Sequence, residues 1–104
     1  MTTQLWQSFP LLENLSGFTH RFIHRHPTVE VDVERNEAVA RLWPWHQAQA
    51  MEMGFAPESI CIAQQVHGNG VALVSQPSTE PIEGVDGLIS SERSLLIGIY
   101  VADC

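Results

Sequence analysis

Hydrophobic and polar positions change their period along the chain. In SGFTHRFIHR, residues 16–25, they alternate: Phe18, His20, Phe22 and His24 fall on one face, and Thr19, Arg21, Ile23 and Arg25 on the other. A period of two predicts a strand, which Pro27 ends or confines to a sheet edge. From Asp32 the pattern turns helical. Asp32 is a candidate N-cap, and VERNEAVARLW sets Val39, Leu42 and Trp43 on one side. Pro44 is expected to interrupt this helix and to open a second one, WHQAQAMEM, which Gly54 stops.

Further on, SICIAQQVH (59–67) and GVALV (70–74) read as two strands of a hairpin turning at Asn69-Gly70. SQPSTEPIEG (75–84) carries two prolines and reads as a surface loop. Asp86-Gly87 leads into LIS, and LLIGIYVA (95–102) is apolar on both faces, which predicts a central strand. About five strands and one interrupted helix, the helix toward the amino terminus, predict an α+β fold. Residues 1–104 read as one domain with no internal boundary.

Composition narrows the setting. A chain of 104 residues can bury a modest core. Its charged residues make up 16%, below the usual share of about a quarter, so surface is left for a partner or for more of the same assembly. The net charge is −7 and all five basic residues are arginine, which argues against nucleic acid and anionic membrane as partners. MTTQLWQSFP lacks the features of a secretory signal, and the apolar run 95–102 is far shorter than the ~20 residues that span a bilayer. Two cysteines form neither a disulfide framework nor a C-x-x-C pair, so a cytoplasmic protein with reduced thiols is expected.

Candidate chemistry centres on five histidines and two cysteines. HRFIHRH forms a basic patch in an acidic chain, suited to a phosphate or carboxylate or else to a solvated strand face. His46 lies beside Trp43 and Trp45, where packing or exposure is its expected role. His67 stands at the end of a predicted strand, just before Gly68, Asn69 and Gly70. That placement suits a fixed functional side chain with open backbone around it, or simply a polar turn residue. Cys104 likewise ends an apolar strand, as a site thiol or an inert core one; Cys61, in mid-strand, fits the core thiol better. Together His67 and Cys104 are an imidazole and a potential thiolate, donors that suit zinc or copper. A catalytic zinc takes about three protein ligands, and no clear third is found.

QQVHGNGVALV, GVDGLIS and LLIGIYVADC closely resemble, in order, the motifs of the YfiH/laccase-domain family, whose pattern is Q-V-H-G, then D-[AG]-L-[IV]-[ST], then an apolar strand ending in A-D-C. HRFIHR is similar to the family's H-G-F-x-T-R strand, which aligns Arg25 with its arginine, and VERNEAVARL to the helix that follows. The Gly-Gly-x-Ser segment usual after that arginine is replaced here by HPTVEV. The resemblance implies mixed β-sheets with flanking helices in a YfiH-like fold. It also implies that His67 and Cys104 are metal ligands, with zinc expected and copper as the other candidate. The family's third ligand is the histidine of H-A-G-W-R-G, a motif beyond A-D-C that this sequence does not contain. The chain is therefore expected to be an amino-terminal portion, with a carboxyl-terminal portion supplying that ligand.

The activities implied by the resemblance are phosphorolysis of adenosine, inosine, guanosine or methylthioadenosine, and hydrolytic deamination of adenosine. For deamination, zinc lowers the pKa of water toward ~7, so that it attacks the ring carbon bearing the amine. A carboxylate then passes protons to the departing ammonia. Asp103 is the candidate if the strand ends or bends there; neighbours on a regular strand face opposite ways, so a supporting role behind the ligand is the alternative. Phosphorolysis needs an anion site, to which Arg25 and His24 are candidate contributors. The competing classes are a copper polyphenol oxidase and a cysteine hydrolase with Cys104 as nucleophile and His67 as base, which would include editing of peptidoglycan precursors. The non-enzymatic alternative is a truncated binding module.

Overall fold

The structure, a computed structural model, describes residues 5–101. The fold is α+β, as the pattern of elements predicted. Two units divide the chain, Met1–Leu42 and Trp43–Cys104.

In the first unit, β1 (Trp6–Gln7) pairs antiparallel with β2 (Phe22–Ile23), Trp6 opposite Ile23 and Gln7 opposite Phe22. The short helix α1 (Pro10–Glu13) lies between them, opened by Pro10 at its first position. The predicted strand at 16–25 is thus much shorter than its alternation. Its face is nevertheless real: ring centroids stand 5.8 Å apart for Phe18–His20 and 6.1 Å for Phe22–His24, and Phe9 joins the row 5.9 Å from both His20 and Phe22. On the opposite face the Arg21 guanidinium sits 3.7 Å from the centre of the Trp6 ring.

Helix α2 (Arg35–Glu52) differs from expectation at both its start and its middle. Glu34, not Asp32, caps it. The Glu34 carboxylate accepts from the N–H groups of Asn36 and Glu37 at 2.9 and 3.3 Å, and its carbonyl accepts from Ala38. Pro44 does not split the helix. Pro44 and Ala40 are exposed, while Leu42 and Trp43 before the proline and residues 45–48 after it are half-buried and Gln49 and Ala50 are buried. Water can therefore reach the Ala40 carbonyl, whose helical partner Pro44 cannot supply. Gly54 ends the helix as predicted, at φ +91°, and Phe55 N–H closes the turn on the Ala50 carbonyl at 2.9 Å.

The second unit is built around β3 (Ile60–Ile62), whose residues, with Ala63, are all buried. β3 pairs parallel with β6 (Leu96–Gly98), and Ala63 bridges parallel to Ile82 on another segment. β4 (Val71–Leu73) pairs parallel with β5 (Gly87–Ile89). The predicted hairpin is therefore wrong: the strands at 60–62 and 71–73 take different partners. The run at 95–102 was expected to be central, but Ile97, Ile99 and Val101 are 47%, 60% and 65% exposed, and the buried strand is β3 instead. Among the described residues no helix is long and apolar enough to cross a membrane.

Candidate functional site

The hairpin fails because the chain leaves extended geometry just past β3. Gln65 and His67 both adopt φ +63°, a left-handed conformation that a non-glycine residue holds only when its surroundings impose it. Three sets of hydrogen bonds impose it here.

Gln65 makes the first set. Its backbone N–H donates to the Val85 carbonyl at 2.8 Å. Its side-chain amide reaches the other way, Nε2 donating to the Tyr100 carbonyl and Oε1 accepting from the Tyr100 N–H, both at 2.8 Å. A side-chain amide used in this way replaces the backbone pair that the end of the strand no longer offers. Gln64 makes the second, its Oε1 accepting from Gly84 N–H at 2.8 Å. Asp86 makes the third, accepting from the N–H groups of His67 and Gly68 at 2.8 and 2.9 Å.

His67 is thus not at the end of a strand, as its sequence position implied, but in a clamped loop beyond it, with its side chain exposed. Tyr100, held by Gln65, precedes Asp103 and Cys104 by three and four positions. Asp103 and Cys104 lie outside the described residues. A shallow recess of about 230 Å³ lies beside the clamp, lined by Asp86, Gly87, Leu88, Ile97, Gly98 and Ile99.

The other candidates have local tasks. In the first unit, His24 Nε2 pairs with Gln7 Oε1 at 2.9 Å across β1 and β2. His20 Nε2 accepts from Phe9 N–H at 2.7 Å, and His26 Nδ1 accepts from the backbone N–H of Thr28 at 3.2 Å. Arg25 is exposed. In the second unit, His46 packs against Trp43 and Tyr100 with ring centroids 6.2 and 5.5 Å away. Both of its ring nitrogens are buried without a hydrogen-bond partner, and burial pulls its pKa below 6.5. Cys61 is a fully buried free thiol whose pKa burial pushes up, in keeping with a core residue.

An imidazole and a thiolate fit zinc or copper by donor type. Among the described residues, however, no group of three or more His, Cys, Asp or Glu side chains could hold a metal. Sequence reasoning passed over Gln65 and Asp86. Both belong to the quoted motifs, but their partners are 35 and 19 residues away in sequence and cannot be read from local pattern.

A family model described as multi-copper polyphenol oxidoreductase laccase matches residues 27–104. The match begins after the HRFIHR segment. A purine nucleoside phosphorylase of Streptomyces coelicolor is 36% identical over 56 residues, covering 53% of this chain and 23% of its own. One from Corynebacterium glutamicum is 28% identical over 54 residues, covering 50% of this chain and 22% of its own. One from Mycobacterium tuberculosis is 33% identical over 55 residues, covering 53% and 22%. The aligned stretch thus spans less than a quarter of each of these relatives. No solved structure matches the chain. With three quarters of its length inside the family model and the Q-V-H-G, D-G-L-I-S and A-D-C words in order, the chain belongs to the multi-copper polyphenol oxidoreductase laccase family, the YfiH/laccase-domain family that its motifs resemble.

Proposed function

We propose that this chain contributes to a cytoplasmic, metal-dependent purine nucleoside enzyme, with His67 and Cys104 as two of its metal ligands. The reactions are phosphorolysis of adenosine, inosine, guanosine or methylthioadenosine, and deamination of adenosine. Residues 1–104 are the amino-terminal part of one such domain, and a carboxyl-terminal portion supplies the third ligand. The observation that carries the proposal is the clamp on both sides of the Q-V-H-G loop. Asp86 grips the backbone of His67, and Gln65 grips the segment that runs on to Cys104. The names of the three relatives supply the substrate class.

In phosphorolysis, a phosphate oxygen forms a bond to the ribose C1′ as the bond from C1′ to the purine nitrogen breaks, and the purine leaves with a proton. Arg25, an exposed cation, and His24 are proposed to receive the phosphate. In deamination, water adds to the amine-bearing carbon and ammonia departs, Asp103 passing the protons. A zinc held by His67 and Cys104 would supply Lewis acidity and would lower the pKa of water toward ~7; copper is the second choice.

The test incubates the protein together with the carboxyl-terminal portion proposed to supply the third ligand, adds inosine and phosphate, and measures free hypoxanthine and ribose 1-phosphate. Phosphate-dependent turnover well above that of His67→Ala and Cys104→Ser is the expected result. Equal product from all three proteins refutes it. A cysteine hydrolase with Cys104 as nucleophile predicts instead that activity is lost on thiol alkylation while no metal is bound.

A further inference from the structure

We propose that Asp86 is the positioning residue for His67. Its carboxylate bridges two successive backbone N–H groups and so holds the imidazole in the conformation from which it is presented. This rests on His67 being the functional histidine proposed above, but the positioning itself can be read without metal or substrate.

A histidine at φ +63° is in a left-handed conformation that its Cβ disfavours, so an outside constraint must hold it there. Asp86 provides one. Oδ1 accepts from His67 N–H at 2.8 Å and Oδ2 from Gly68 N–H at 2.9 Å. Both bonds go to an ionised acceptor, and a carboxylate with both oxygens engaged has little freedom to rotate.

Asp86 is itself anchored. Its own N–H donates to the Gly70 carbonyl at 2.9 Å, Gly87 N–H donates to the same carbonyl at 3.2 Å, and β5 begins at the next residue. At Gly68 a Cβ would stand 3.3 Å from Asp86 Oδ2, tighter than an ordinary contact. Asp86 therefore meets the loop from a strand end, a better support than another loop. With each carboxylate oxygen on a backbone amide, Asp86 holds the backbone beneath the imidazole.

The experiment compares the parent with Asp86→Asn and Asp86→Ala by NMR, free of metal. It follows the three-bond amide coupling of His67, which reports φ, and amide exchange at His67, Gly68 and Cys61. In Asp86→Ala, exchange at His67 and Gly68 should accelerate at least tenfold and the coupling should leave its left-handed value. Cys61 in β3 should stay protected, which excludes general unfolding. Asp86→Asn keeps one acceptor oxygen and should fall between the two, so the bond can be judged even if the alanine variant fails to fold. Exchange and coupling at residues 67 and 68 unchanged within twofold in both variants would overturn the proposal. Zinc titration of the same samples is a separate arm, with Asp86→Asn weakening affinity about tenfold. Failure of the parent to bind zinc counts against the proposed function, and unaltered loop geometry counts against Asp86.

Discussion

Replacing Gln65 by alanine removes both bonds to Tyr100 at once, each 2.8 Å long and partly buried. A hydrogen bond of this kind contributes about 0.5–1.5 kcal/mol net, and a group left buried without a partner costs more. Tyr100 is only half-buried, so water can reach part of what is exposed, and the smaller figure applies. The expected loss is about 2 kcal/mol, roughly thirty-fold in the folding equilibrium and a large share of a small domain's stability. With a urea m-value of about 1–3 kcal/mol/M, the midpoint should fall by about 1 M. Gln65→Met keeps the volume and loses both bonds, so it should fall nearly as far. Gln65→Glu keeps an acceptor for the Tyr100 N–H but sets a carboxylate oxygen against the Tyr100 carbonyl, and should be no better than alanine. Urea melts measure the cost, and faster amide exchange at Tyr100 ties it to this bond. If all three variants melt within about 0.3 kcal/mol of the parent, the clamp contributes nothing and the reasoning fails.

Three other outcomes follow from the same geometry. Burial holds the His46 pKa below 6.5, so below about that pH the unfolded chain binds a proton that the folded chain refuses. Stability should therefore decline as pH falls from 6.5, and His46→Leu should flatten that decline in melts across pH 5–8; an unchanged slope counts against it. Cys61 is 0% exposed with its thiol pKa raised, so alkylation and peptide mapping should find it unlabelled until denaturant is added; labelling at the rate of a free thiol contradicts its burial. Pro44→Ala should stabilise α2 by about 1–3 kcal/mol by giving the Ala40 carbonyl a donor, seen as increased helical circular dichroism and a higher melting temperature. A loss of stability would mean that the proline is required where it stands.

Local pattern exposed the fold class, the Gly54 helix stop and the shared face of Phe18, His20, Phe22 and His24, because each depends on residues a few positions apart. It misplaced what long-range partners decide. Asn69-Gly70 reads as a hairpin turn, yet Gln65 and His67 turn the chain earlier because Tyr100 and Asp86 hold them there. Pro44 reads as a break, yet α2 continues through it with the proline exposed to solvent. At the candidate site, the motif spacing singled out His67, while the side chains that hold its loop were visible only in three dimensions.

The central claim is that His67 and Cys104 bind one metal ion together, and its most direct test is metal content. Protein that includes the carboxyl-terminal portion, equilibrated with zinc and freed of excess, should carry one zinc per chain, lost in both His67→Ala and Cys104→Ser. A parent without zinc, or the same zinc content in all three proteins, would contradict it.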